Sequence, residues 1–109
     1  MYLTFIFWYY LNMSKEDILN IIKKEKPYLE EKYHISEIGL FGSYARDEEK
    51  EASDIDILVN FPDGSLSLFG LIGLKHYLED ILKKRVDLVH KPMIRSNLRA
   101  NILNDFIVA

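Results

Sequence analysis

Hydrophobic positions recur with two different periods along this chain, and the switches between them mark its elements. Ile18, Ile21, Ile22 and Leu29 fall at helical spacing, which predicts an amphipathic helix over 15–32. Ser14 and Asp17 stand where a capping box would open it, with Asp in place of the usual Glu. Pro27 lies inside this stretch and is expected to kink the helix or split it near Lys26. The run 35–41, ISEIGLF, reads as a short apolar strand. Gly42 ends it, and the following SYARDEE can start a short helix before a charged loop over 47–53. A second strand is expected over 53–61 (SDIDILVNF), with a turn at Pro62, Asp63 and Gly64. Leu68, Leu71, Ile72, Leu74, Leu78, Ile81 and Leu82 form a wide apolar stripe, so a helix over 66–83 should pack on a sheet. RVDLVH, 85–90, reads as a third strand. Pro92 suits the first turn of a last helix, 92–105, and Phe106 to Ala109 can begin a final edge strand.

Alternating helices and strands predict an α/β or α+β fold, a small mixed sheet with helices packed on one face and the other face free. With 109 residues the chain makes one domain, which leaves room for a shallow cleft rather than a deep one. The first twelve residues break the pattern. MYLTFIFWYYLN is apolar, aromatic and uncharged, too short to span a bilayer and without the basic start of a signal peptide. Met13 then opens MSKEDILN, which reads as an ordinary start. The domain is therefore expected to occupy 13–109, with 1–12 a non-native or disordered extension; a membrane-surface anchor and an extra edge strand are the alternatives.

Composition narrows the chemistry. The net charge of -3 argues against broad nucleic-acid binding, which needs a basic face. It leaves nucleotides open, since a bound metal can supply positive charge. No cysteine is present, which removes disulfides, thiolate catalysis and Cys-type zinc sites, and fits a cytoplasmic location. Three aspartates stand out. Asp54 and Asp56 are two apart in a strand and should share a face, while Ile55 and Ile57 point into the core. Asp87 alternates in the same sense between Val86 and Leu88. If the second and third strands are neighbours, the three carboxylates converge and repel, and a hard divalent cation such as Mg²⁺ relieves the repulsion. Two such ions could clamp a displacement at phosphorus. A lone D-x-D on a strand is better explained by a solvated face; Asp87 on a separate strand weakens that explanation.

Gly42 and Ser43 add a place for phosphate. A glycine at a strand end lets backbone approach an anion, a following helix start offers N–H groups, and Ser43 offers a hydroxyl. Arg46, one helical turn on, could add a bidentate donor. By itself a Gly-Ser turn with a surface arginine is unremarkable. His34, His76 and His90 lie in separate elements without metal-ligand spacing, so surface or packing roles are expected, with His90 closest to the strand end where a cleft should open. Lys91, Arg95 and Arg99 form a small basic patch that suits a solvated face equally with a triphosphate or an acidic partner.

The combination is specific. Gly42-Ser43, ten residues, then Asp54-x-Asp56, in the text GLFGSYARDEEKEASDIDILV, resembles the signature of polymerase-beta-like nucleotidyltransferases. With RVDLV and SLFGLIGLKHYLEDIL it is similar to the minimal nucleotidyltransferase (MNT) antitoxins over nearly the whole chain from Met13. The resemblance implies the polymerase-beta-like fold, Mg²⁺ (two ions) on Asp54, Asp56 and Asp87, and nucleotide binding by Gly42, Ser43 and Arg46. It further implies ATP as substrate, and as partner a HEPN-domain toxin whose tyrosine receives AMP, in a type VII toxin–antitoxin pair, without stable nucleic-acid or membrane binding. A binding-only antitoxin and a small-molecule nucleotidyltransferase are the alternatives. Two departures stand out: similar proteins carry Gly where this chain has Asp47, and the last strand stops early, at Ile107-Val108-Ala109.

Overall fold

A computed structural model describes residues 2–62 and 67–109. Four strands form one mixed sheet in the order β3-β2-β1-β4: β1 (Glu37–Phe41), β2 (Ile55–Asn60), β3 (Val86–His90) and β4 (Ile107–Val108). β1 pairs antiparallel with both β2 and β4, and β2 pairs parallel with β3. The parallel pair requires a crossover, supplied by α4 (Leu68–Leu82). With α2 (Lys15–Tyr33), α4 covers one face. Ile38, Leu40, Ile55, Ile57 and Val59 point there and are fully buried against Ile18, Ile22, Leu29, Leu74, Leu78 and Leu82. The period-2 and period-3.6 patterns of the sequence meet in this single core.

Ser14 and Asp17 form the expected capping box: the Asp17 N–H donates to Ser14 Oγ, and the Ser14 N–H donates to Asp17 Oδ2 at 3.0 Å. The expected split at Pro27 does not occur; α2 runs unbroken from Lys15 to Tyr33. Pro27 and Lys23, the residue whose carbonyl loses its helical partner, are both exposed, so water can satisfy that carbonyl. The last helix also departs from expectation. Pro92 sits in a separate 3₁₀ turn, Lys91–Met93, and α5 begins only at Ser96 and ends at Asp105. Extended backbone at Ile94 and Arg95 separates the two. The edge strand expected after Phe106 is present as β4.

The second face of the sheet is not free throughout. Phe106 lies on Gly39 so closely that a Cβ there would come within 2.4 Å of its ring and 2.3 Å of the Ile107 carbonyl. Phe41 and Leu58 are buried on this face, with α5 and the Lys91–Met93 turn against β1 and β2. Covering this end leaves the β2–β3 end of the face open.

Residues Tyr2–Leu11 form a helix, α1, rather than a strand. It is apolar all round and leaves Leu3, Phe5, Phe7 and Trp8 largely exposed, although Tyr10 packs against the core. Among the described residues no helix is long and apolar enough to cross a membrane. The turn expected at Pro62, Asp63 and Gly64 falls mostly outside the described residues.

Candidate active site

The open part of the second face is built by alternation. Along β2 the side chains of Ile55, Ile57 and Val59 go to the core, so Asp56 is left on the opposite side. Along β3, Val86 is buried and Asp87 is exposed. The parallel register pairs Asp56 with Asp87 directly, so the two carboxylates come from adjacent strands to one point. Asp54, exposed, stands one residue before β2 begins.

The electrostatics register this crowding. The Asp56 carboxyl is pushed up to about 6, first by burial, then by the charges of Asp87 and Asp54 and by a proton shared with Asp87. Arg46 acts in the other sense and favours the ionised form. A half-buried carboxylate beside two others is the donor chemistry that a hard divalent cation answers, and Mg²⁺ commonly takes only one or two protein carboxylates with water and phosphate as its remaining ligands. The donor set therefore fits Mg²⁺ as an open site. It is not a closed cage: among the described residues no three acidic or histidine side chains are gathered round a common point. Asp56 and Asp87 are brought together, while Asp54 is in electrostatic reach of Asp56.

Gly42 proves to have a tighter role than the sequence implied. Its φ is +75°, in the region that favours glycine. A Cβ on Gly42 would lie 2.1 Å from Asp56 Oδ2 and 2.9 Å from its Cγ. Gly42 thus gives room first to the aspartate side chain. It begins α3 (Gly42–Ala45), a single turn whose Tyr44 and Ala45 are buried and hold it to the sheet. Ser43 is half-buried; its carbonyl accepts the Glu48 N–H at 2.8 Å, and its hydroxyl has no partner among the described residues.

Arg46 follows at the end of this turn, in two ion pairs. Its Nη1 donates to Asp105 Oδ2 at 2.6 Å and its Nε to Glu48 Oε2 at 3.2 Å. Asp47, where the resemblance led to an expectation of glycine, has φ +58°. The position does require a left-handed backbone, and aspartate tolerates it better than most residues. Its carboxylate is drawn to Lys15 Nζ at 2.9 Å, on the first turn of α2.

The histidines take no part. His34 caps α2 in a left-handed conformation, and His76 is exposed beside Glu79. His90 was the histidine nearest the expected cleft, but it lies three residues beyond Asp87 and so on the opposite face. It is buried against Phe61, with Nε2 accepting the Phe61 N–H at 3.4 Å, and burial holds its pKa below the usual value. Of the basic patch, Lys91 is paired with Glu37 at 3.2 Å, and Arg99 donates to the Lys91 carbonyl at 3.4 Å. Sequence reasoning missed Asp105. The available signal was an acidic residue at a helix C-terminus, where the helix dipole disfavours it.

Comparison with known proteins places the arrangement. The nucleotidyltransferase domain family model matches residues 16–109. The chain is 42% identical over 95 residues to protein adenylyltransferase MntA of Thermococcus cleftensis, covering 87% of this chain and 95% of that protein. It superposes with a TM-score of 0.73 on a solved structure provisionally described as a minimal nucleotidyltransferase, at 33% identity over 88% of this chain and 96% of that one. It also matches a chain from a toxin–antitoxin crystal structure with AMP-PNP, with a TM-score of 0.63, 25% identity and coverage of 88% and 72%. A family model spanning most of the chain and agreement with these relatives lead to one assignment: the chain belongs to the nucleotidyltransferase domain family, with the minimal nucleotidyltransferase fold.

Proposed function

We propose that this enzyme transfers AMP from ATP to a hydroxyl, a tyrosine in the first place, of a cognate HEPN toxin, and so acts as the antitoxin of a type VII pair. The observation that carries the transfer chemistry is the register that sets Asp56 beside Asp87, with Asp54 in range, against the glycine of the Gly42-Ser43 turn. The protein acceptor is supported by the similarity to a protein adenylyltransferase and to a toxin–antitoxin structure that holds a nucleotide analogue.

In this reading Asp54, Asp56 and Asp87 would hold Mg²⁺, which would supply neutralisation of charge at the reacting phosphate. The acceptor oxygen attacks the α-phosphorus, a new P–O bond forms, and the bond to the β-phosphate oxygen breaks to release pyrophosphate. Asp87, the exposed member of the pair, faces the acceptor and takes the hydroxyl proton. Gly42 keeps the approach to Asp56 clear, and the Ser43 hydroxyl donates to a phosphate oxygen. Arg46 contributes positive charge at the edge of the site. The reaction belongs in the cytoplasm, where ATP is available.

The test is incubation of the full chain with α-labelled ATP, Mg²⁺ and a candidate HEPN-domain partner. Label should appear on the partner, be lost when its acceptor tyrosine is changed to Phe, and require Mg²⁺. Neutralisation of the partner without label transfer would replace this reading with inhibition by binding alone.

A further inference from the structure

We infer that Asp105 is a positioning residue for nucleotide binding: it holds the Arg46 guanidinium at the rim of the aspartate face and leaves Nη2 open to the phosphates. The inference rests on the nucleotide-site reading above and extends it to a residue outside the motif.

Three observations converge on Asp105. The first is the contact itself. Nη1 of Arg46 donates to Asp105 at 2.6 Å and Nε to Glu48 at 3.2 Å, while Nη2 has no partner among the described residues. Two of the three nitrogens are thus anchored on carboxylates, and the third remains available. Arginine presents its donors in a rigid planar fork, so anchoring two nitrogens sets the direction of the third. Arg46 closes the turn that Gly42 opens, its N–H donating to the Gly42 carbonyl at 3.1 Å, and Gly42 lies directly against Asp56, which places Arg46 beside the site.

The second observation is electrostatic. Asp105 is the last residue of α5, whose last turn contains no basic residue. A carboxylate there opposes the helix dipole, and an arginine brought from another element compensates it. The third concerns rigidity. The next residue, Phe106, lies against Gly39, and Ile107 pairs with Leu40 in β1. Asp105 is therefore fixed to the sheet that carries Asp56, whereas Glu48 belongs to the exposed loop after α3. The side chain of Asp105 is 22% exposed and that of Glu48 64%, which marks Asp105 as the firmer anchor.

The experiment measures AMP-PNP affinity in the presence of Mg²⁺ by titration calorimetry, alongside KM for ATP and kcat in the transfer assay, on the full chain. Asp105→Ala should weaken AMP-PNP binding and raise KM by about three- to fivefold, the scale of an exposed but well-formed ion pair, with kcat within about twofold. Asp105→Glu should recover most of the loss. In an Arg46→Ala background, Asp105→Ala should add nothing, because the two residues act through one guanidinium. Tighter binding in Asp105→Ala would overturn the inference by showing that the carboxylate competes with phosphate for Arg46. An equal loss with and without Arg46 would overturn it by assigning Asp105 a purely structural role. If the cycle holds in AMP-PNP binding while no AMP reaches the partner, the positioning role stands and the transfer reading fails. If the wild type binds no AMP-PNP, both fail.

Discussion

The two faces of the sheet are made by the same strands and obey opposite rules. On the face beneath α2 and α4, Ile38, Leu40, Ile55, Ile57 and Val59 are fully buried in one apolar cluster with the helices. On the other face, Asp56 alternates with two of those isoleucines, and Asp87 alternates with Val86 and Leu88. One face contributes stability by removing apolar surface from water. The other holds crowded carboxylates, one of them displaced to about 6, and so costs stability in the metal-free protein. A strand period of two allows both on six residues of β2, and it makes adjacent positions respond to substitution with opposite sign.

The largest effect should come where the faces meet the phosphate turn. Gly42→Val places a branched side chain on the Asp56 carboxylate, at a φ of +75° that valine does not adopt. Both activity and fold should suffer, with AMP transfer lost and thermal stability lowered by several degrees. A variant with wild-type melting and transfer would show that Asp56 does not need this space.

On the core face, Ile57→Ala removes a fully buried side chain and should destabilise by about 2–5 kcal/mol in denaturant unfolding. Its neighbour should behave in reverse. Asp56→Asn in the presence of EDTA should stabilise by about 1–2 kcal/mol at pH 8, since one crowded charge is removed. The sign follows from the displaced carboxyl. Its pKa is higher folded than unfolded, so the native state holds the proton more tightly between about pH 4 and about pH 6. Wild-type stability from this group therefore falls as pH rises through that window, and the penalty is complete above it. The gain in Asp56→Asn should vanish below about pH 4. Melting curves of both proteins from pH 3.5 to 8 give the comparison; a constant difference across the range would contradict it.

How far these faces could be read beforehand depended on which residues made them. The core face was legible because Ile18, Ile22, Leu74 and Leu78 carry the helical period, and Ile55, Ile57 and Val59 the strand period. The Asp56–Asp87 pairing followed from alternation once β2 and β3 were neighbours. What periodicity could not convey was contact between distant residues. Asp105 meets Arg46 across 59 positions, and Asp47, just after α3, meets Lys15 on the first turn of α2. Pro27 did not split α2, because the break that local propensity marks falls where an exposed carbonyl is tolerated. Likewise His90 was sorted by its nearness to Asp87 in sequence, although three residues along a strand reverse the face.

Smaller effects sharpen the comparison further. Ser43→Ala removes one donor among several and should cost about 1–2 kcal/mol in ATP affinity, without a change in melting temperature. A chain beginning at Met13, without the apolar helix α1, should bind AMP-PNP as the full chain does, because α1 contributes nothing to either aspartate strand. A large fall in melting temperature on this truncation would make α1 a structural part of the domain.

Whether the carboxylate face performs nucleotidyl transfer is decided by one paired assay. Wild type and Asp56→Asn are each incubated with α-labelled ATP, Mg²⁺ and the partner toxin, and the label on the toxin is counted. Label should appear with the wild type and fall by about a thousandfold or more with the variant, the scale expected when charge stabilisation at the reacting centre is removed. Equal labelling by the two proteins would contradict it.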